Sequence, residues 1–407
     1  MPEISSRGQR IPASPIRKLT PLSDAAKARG MKVYHLNIGQ PDLPTPKKAL
    51  DALKHIDRTT LEYSPSNGIK PLRDRLTGYY GRFGIDVTES EIIVTSGGSE
   101  ALLLTFMTCL NPGDEIIMTE PGYANYISFS VTAGVTIKTV TSRIEDGFAL
   151  PSVEDFEKAI SDKTKAILIC NPNNPTGYLY SEEELYRLRD IVLKHNLFLI
   201  SDEVYREFRY TDAPYLSALC LPGIEENVIV VDSVSKRYSE CGIRVGMIVS
   251  HNKEFMQAVM KFCQARLSPP LLGQIVAEAS IEGTEEYSRE CFEEYLERRN
   301  FFIEGLNKIP GVFSPMPKGA FYTVLSLPVE NAEDFCKWCL SEFSYKDEGT
   351  PEGFAGETVM MAPAAGFYST PGLGLNQVRM AYVLKKEDLA RALLVLEKAL
   401  EEYNNRP

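Results

Sequence analysis

Cysteine and histidine are scarce. Eight cysteines lie scattered through 407 residues, too few for a disulfide scaffold. Only Cys336 and Cys339 form a C-x-x-C, and the apolar spacing of EDFCKWCLSEF reads as a helix in which both are packing residues rather than a redox pair. His35, His55, His195 and His251 stand far apart with no H-x-x-x-H spacing, so no metal site is expected. A basic excess is also missing. Lysine and arginine number 44 against 55 acidic residues, for a net charge of −11, whereas a phosphate-backbone binder wants a basic face; nucleic acid is not an expected partner. No window approaches the ~18 apolar residues of a membrane span, and MPEISSRGQRIPASP lacks the apolar core of a signal peptide. These absences describe a soluble, cytoplasmic chain.

What is present is ordinary globular usage. Apolar residues make up 43% and charged residues 24%, which excludes disorder and low-complexity architectures. At roughly 150 residues per domain, two or three domains are expected. From about residue 90 to 250, strands and helices alternate. EIIVT (91–95) precedes a helix from Ser99 to Leu110; then come EIIMTE (115–120), TIKTVT (136–141), TKAILIC (164–170), LFLISDEV (197–204), VIVVDSVS (in the region 227–235) and GMIVS (246–250). The clearest helix is SEEELYRLRDIVLKH (181–195), with Ser181 and Glu184 as a capping box and Leu185, Leu188, Ile191 and Val192 on one face. The pattern predicts an α/β fold with a mostly parallel sheet covered on both faces, and ligands bind at the carboxyl ends of such strands. A long helix from Glu285 leads into short strands and two helices, the last carrying Leu389, Leu393, Leu396 and Leu400 on its core face. Both chain ends are expected to share a smaller α+β domain, with 1–50 and 291–407 flanking a large domain at 51–290. The polar, glycine-rich stretch 344–357 reads as a mobile surface loop.

Four strand ends carry polar residues of complementary type. TSGGSEA (95–101) brings Gly97, Gly98 and Ser99 to a helix start, where free N–H groups attract an anion; a plain tight turn would look the same. NPNNPTG (171–177) is a rigid turn that could also aim the Asn174 amide into a cleft. In SDEVY (201–205), Asp202 ends a buried strand, which is unfavourable unless it meets a cation or a protonated ring nitrogen, or caps the structure. In SVSKRYSECGIR (233–244), Lys236 follows an apolar strand, where a lysine can become a nucleophile; Ser233, Ser235 and Arg244 beside it can neutralise a phosphate.

Together these pieces match the toolkit of pyridoxal 5′-phosphate (PLP): a Schiff-base lysine, a carboxylate on the pyridinium nitrogen and phosphate ligands. From NIGQPD (37–42) to VRMAYV (378–383) the chain resembles the class I/II aminotransferases of PLP fold type I, prokaryotic aspartate aminotransferases among them. The resemblance implies a homodimer of that fold. It makes Lys236 the lysine that holds the cofactor and moves the proton between Cα and C4′, and Asp202 the partner of the ring nitrogen. Asn174 and Tyr205 would bond the ring O3′, and Gly97, Gly98, Ser99, Ser233, Ser235 and Arg244 would form the phosphate cup. Tyr123 would stack on the ring and Tyr63 would reach the neighbouring subunit's phosphate. Arg379 would clamp the substrate α-carboxylate, with Gly39 nearby. Aspartate is the leading amino donor and 2-oxoglutarate the expected acceptor, in a ping-pong cycle. Aromatic or other donors, a C–S β-lyase on the same fold, and a ligand-sensing aminotransferase-like protein are the alternatives. Such sensors add a basic DNA-binding segment, for which this acidic chain has no spare length. A nucleotide-binding α/β protein would leave Lys236 and Asp202 unexplained. Several prokaryotic aspartate aminotransferases have a lysine where Ser99 stands, which helps bind the substrate's side-chain carboxylate; Arg17 or Lys18 could substitute for it here.

Overall fold

The computed structural model describes residues 2–406 except 213, 284 and 351. Among the described residues twelve strands are formed: β1 (Lys32–His35), β2 (Ile92–Thr95), β3 (Glu115–Glu120), β4 (Thr136–Thr141), β5 (Thr164–Cys170), β6 (Phe198–Asp202), β7 (Val228–Ser233), β8 (Gly246–Val249), β9 (Tyr322–Ser326), β10 (Glu357–Met360), β11 (Ala362–Pro363) and β12 (Gln377–Ala381). Seven of them build one sheet in the order β2-β8-β7-β6-β5-β3-β4. Pairings from β4 across to β7 are parallel, and β8 runs antiparallel between β7 and β2. The sheet is therefore mostly parallel, as the alternation of elements predicts.

Why these strands are continuously apolar is visible in how their side chains divide. Leu168, Ile200, Ile229 and Val231 enter one core, whereas Ile167, Ile169, Leu199, Val228 and Val230 enter another on the opposite face. Successive residues point to opposite faces, so a sheet buried on both sides needs apolar residues at every position. The helix Glu182–His195 follows the same logic: Ser181 Oγ accepts from the Glu184 N–H, the Glu184 carboxylate accepts from the Ser181 N–H, and Leu185, Leu188, Ile191 and Val192 are buried.

Three sequence expectations shift at their edges. The strand expected at 197–204 ends at Asp202, because Glu203 turns inward to accept from Ser217 Oγ and the Ala218 N–H. The segment after Ser233 is a single helical turn, Val234–Arg237. In the stretch 344–357, Glu357 belongs to β10 and exchanges backbone hydrogen bonds with Tyr345, so the loop is closed at its base; Pro351 within it lies outside the described residues.

The chain ends meet beside the large sheet. β1 pairs in parallel with β10, and β12 lies between β11 and β9. The Ala381 N–H donates to the Leu36 carbonyl at 2.7 Å, which carries the segment after β1 up to β12. Leu389, Leu396 and Leu400 are buried, and Leu393 packs on Gly305 of the helix Glu285–Leu306, where a Cβ would lie 2.3 Å from it. The boundaries expected at 50/51 and 290/291 both fall inside helices, Lys47–Lys54 and Glu285–Leu306. Among the described residues no helix is long and apolar enough to cross a membrane, and no group of three or more His, Cys, Asp or Glu could hold a metal ion.

Candidate active site

A cavity of about 540 Å³ opens at the carboxyl ends of β5, β6 and β7. Cys170, Asp202 and Ser233, the last residues of these strands, all reach its wall. A wider groove of about 1300 Å³ runs between β4 and the segment around Tyr368, and none of the residues expected at the site lines it.

Lys236 enters the cavity from the helical turn that Ser233 caps. Its Nζ donates to the Gly39 carbonyl at 2.8 Å and lies 3.9 Å from Cys241 Sγ. Gly39 has to be glycine: a Cβ there would sit 1.8 Å from the Tyr322 hydroxyl. Asp202 is 5% exposed, and its Oδ2 accepts from Tyr126 OH at 2.7 Å. Burial pushes its carboxyl up to about 6, against the pull of the Tyr126 bond.

Asn174 joins two parts of the wall. Its Nδ2 donates to Tyr205 OH at 3.2 Å, and its Oδ1 accepts from Arg379 Nη1 at 3.2 Å. The Tyr205 and Tyr322 hydroxyls are 3.0 Å apart. Tyr123 bonds Asn125 through its hydroxyl, and burial raises that hydroxyl to about 12.

The anion cradle predicted from sequence is assembled at one end. Gly98 opens the helix Gly98–Cys109, and Ser99, Ser233, Ser235 and Arg244 line the cavity beside it. Ser233 Oγ donates to the Val245 carbonyl and accepts from the Ser235 N–H, with Ser235 Oγ 2.7 Å away. Gly97 stands behind this wall at φ +80°, and a Cβ on it would lie 2.4 Å from Arg244 Nη2. Its missing side chain is what lets the guanidinium come down onto the helix start. The cradle thus holds helix N–H groups, hydroxyls and one cation, a donor set made for a phosphate.

Arg379 is the most telling residue. It is 1% exposed, and its guanidinium lies 4.7 Å from the Tyr322 ring centre and 5.0 Å from that of Phe367. It donates to the Asn37 carbonyl and to Asn174, while Nε has no partner. Among the described residues no carboxylate pairs with it, and burial lowers its pKa. A buried guanidinium left in this state is unfavourable until an anion arrives.

The cavity wall thus contains twelve of the fourteen residues expected at the site. Gly97 acts from behind it, and Tyr63 is not part of this wall: it is 78% exposed. Of the two candidate cations, Arg17 lines the cavity, whereas Lys18 pairs with Glu333. Tyr126, Tyr322 and Cys241 escaped sequence reasoning. Tyr126 had a signal, standing one helical turn after Tyr123. Tyr322 had none, since only tertiary packing brings β9 to Tyr205.

An anion cradle near a lysine, and a second anion site at Arg379, mark an enzyme that handles amino or oxo acids with a phosphate-bearing cofactor. The chain belongs to the aminotransferase class I and II family, whose model matches residues 31–356. It is a PLP-dependent aminotransferase, acting on amino acid and 2-oxo acid substrates. It is similar to an aspartate aminotransferase of Thermotoga maritima, 32% identical over 96% of this chain and 98% of that protein. Among solved structures it resembles the Thermus thermophilus aspartate aminotransferase with maleate, at TM-score 0.86 and 28% identity over 98% of this chain and all of that one. An alanine aminotransferase of Pyrococcus furiosus is equally similar, at TM-score 0.86 and 29% identity, covering 98% of this chain and 100% of that one. Cradle and unpaired arginine fit PLP and its substrate.

Proposed function

We propose that this chain moves the amino group of aspartate to 2-oxoglutarate, as a cytoplasmic homodimer. The observation that carries the substrate class is Arg379: buried, with no acid beside it among the described residues and with a free Nε, it suits the α-carboxylate common to every amino and 2-oxo acid. Arg17 on the cavity wall offers a second cation for a second carboxylate, in keeping with the relatives named aspartate aminotransferase. Half-reactions with a panel of amino acids, read from the bound cofactor's absorbance, test this; a preference for alanine or an aromatic donor over aspartate would overturn the dicarboxylate reading.

Bound PLP supplies an electron sink that makes the substrate's Cα–H bond acidic. Gly98, Ser99, Ser233, Ser235 and Arg244, with Gly97 making room, hold the phosphate. Asn174 and Tyr205 would bond the ring hydroxyl, and Tyr123 would cover the ring face. Asp202 would pair with the ring nitrogen and keep it protonated. Lys236 Nζ would hold the cofactor and would serve as the base that moves the substrate's Cα proton. The Gly39 carbonyl beside Nζ orients it. Asp202→Asn should lower turnover far more than PLP affinity, because the phosphate contacts persist. Breaking a buried charge pair costs ~3–5 kcal/mol, roughly two to three and a half decades in kcat. Stopped-flow half-reactions beside equilibrium PLP titration separate the two; near-normal turnover would remove Asp202 from this role.

An apolar face supports the dimer reading. Leu50, Leu53, Leu61, Tyr63, Leu267 and Leu272 are all exposed; Ser66 Oγ bonds the Leu267 carbonyl, and the helix Lys47–Lys54 packs on the helix Leu271–Ile281. Such a patch marks an interaction surface. All eight cysteines are free, in keeping with a reducing compartment. Tyr63 then completes the neighbour's phosphate cup, and Tyr63→Phe should weaken PLP binding. A hydrogen bond to a charged group contributes ~1.5–3 kcal/mol, or roughly 10- to 100-fold. In a heterodimer of Tyr63→Phe and Lys236→Ala chains, the one lysine-bearing site receives an intact tyrosine from its partner and should bind PLP with wild-type affinity. Weakened affinity there would mean that Tyr63 acts within its own subunit or not at the phosphate.

A further inference from the structure

Directly behind the site lies a second, fully buried set of charges. Glu203, Arg206, Asp232 and Arg237 are each no more than 2% exposed. Arg206 bonds Glu203 Oε2 through Nη2 and Asp232 Oδ2 through Nη1, both at 2.9 Å, and Arg237 Nη2 bonds Asp232 Oδ1. Asp232 also accepts from the Ser233 N–H at 2.7 Å and from Tyr80 OH at 3.0 Å. Arg237 stacks 4.2 Å over the Tyr79 ring, and its Nε and Nη1 are left without partners.

The members are not scattered. Each is the chain neighbour of a residue on the cavity wall: Glu203 follows Asp202, Arg206 follows Tyr205, Asp232 precedes Ser233 and Arg237 follows Lys236. Along a strand successive side chains face opposite ways, and in a helical turn they diverge by about 100°. Whatever holds the hidden set in register therefore holds the exposed one. Burial alone would raise the Asp232 carboxyl; Arg237 and Arg206 outweigh it and keep the group below the usual carboxylate range. Two carboxylates and two guanidiniums leave the network neutral. Buried ion networks add little stability over well-packed apolar groups, so stability does not account for this one.

We propose that Glu203, Arg206, Asp232 and Arg237 are the positioning residues of this site, a neutral network that fixes where Asp202 and Lys236 stand and balances the field at Lys236. The proposal rests on the reading that Lys236 holds the cofactor. Lys236 also faces Cys241 from the next turn, Cys241–Ile243, Asp202 and Tyr205 from β6 and the turn after it, and Tyr322 and Arg379 from β9 and β12. Arg17, Tyr123, Tyr126 and Arg244 complete the titratable and charged wall. Glu240, bonded by Ser280, is pushed up to about 8 by burial and stays protonated at neutral pH; a Glu240→Gln background removes its titration.

The test is the pH at which the absorption of bound PLP changes with protonation at Lys236 Nζ, measured together with thermal unfolding. Arg237→Gln removes a positive charge, eases protonation and should raise that midpoint by about one unit; Asp232→Asn should lower it by about as much. Both should melt earlier. Midpoints that stay put, or move the same way, while melting falls would reduce the network to ordinary structure and overturn the proposal. Arg237→Lys keeps the charge but not the forked contact, so its midpoint should hold while kcat falls about 10- to 100-fold at unchanged KM. Wild-type kcat there would also overturn the proposal, and this variant decides if a charge-removing one fails to fold. Borohydride reduction and peptide mapping accompany each variant. A pyridoxyl group absent from Lys236 would sink the underlying reading; one present there with unmoved midpoints would sink only the network.

Discussion

Lys236→Ala is expected to keep PLP at the phosphate cradle and lose transamination almost entirely. The cradle is built from Gly98, Ser99, Ser233, Ser235 and Arg244, none of which needs the lysine side chain to stand where it does. Proton transfer by a placed side chain contributes typically ~10²–10⁴-fold, and the substitution also removes the covalent hold on the cofactor. A loss beyond ~10⁴-fold in the half-reaction is therefore expected. The nearest alternatives do not rescue it: Cys241 Sγ bonds the Ser235 carbonyl, and the Tyr205 and Tyr322 hydroxyls bond each other. Burial raises the Tyr205 hydroxyl well above its ordinary value, so it keeps its own proton and cannot take the one from Cα. Single-turnover measurement with aspartate, alongside equilibrium PLP titration, checks both halves. Substantial turnover would mean that another group moves the proton.

Arg379→Lys should weaken every amino and 2-oxo acid alike while sparing PLP affinity. A guanidinium presents two parallel N–H groups to a carboxylate, a geometry an ammonium cannot reproduce. Here the fork is further steadied by Asn37 and Asn174 and sandwiched by Tyr322 and Phe367. Truncating one member of a buried hydrogen-bonded charge pair costs ~2–5 kcal/mol, or roughly 30- to 5,000-fold in affinity. The discriminating measurement compares aspartate with a monocarboxylic donor: both should weaken by similar factors. A loss confined to dicarboxylic substrates would assign Arg379 to the side-chain carboxylate instead. Arg17→Gln should give that contrasting pattern, since Arg17 stands exposed on the same cavity wall and Lys18 is occupied by Glu333.

The strand ends were legible because their chemistry and their secondary structure coincide. Gly97-Gly98-Ser99 lies at a strand-to-helix turn, Asp202 closes an apolar run, and Lys236 follows another; each signal is local. Arg379 could be named only through family resemblance, since nothing around VRMAYV marks an arginine as buried and unpaired. Tyr126 on Asp202 and Tyr322 on Tyr205 were unreadable or nearly so, as each contact joins segments far apart in the chain.

The sequence by itself determined the alternating order of elements, the two-faced burial of the large sheet and the capping of Glu182–His195. These follow from periodicity and from short motifs, which act over a few residues. Only the tertiary structure decided which polar residues are paired and which are left over. Arg206 and Arg237 are satisfied by Asp232 and Glu203, while Arg379, no less buried, meets no acid among the described residues. Three arginines look alike in the sequence. Burial makes an unpaired charge unfavourable, and whether a partner stands within reach depends on how distant strands come together.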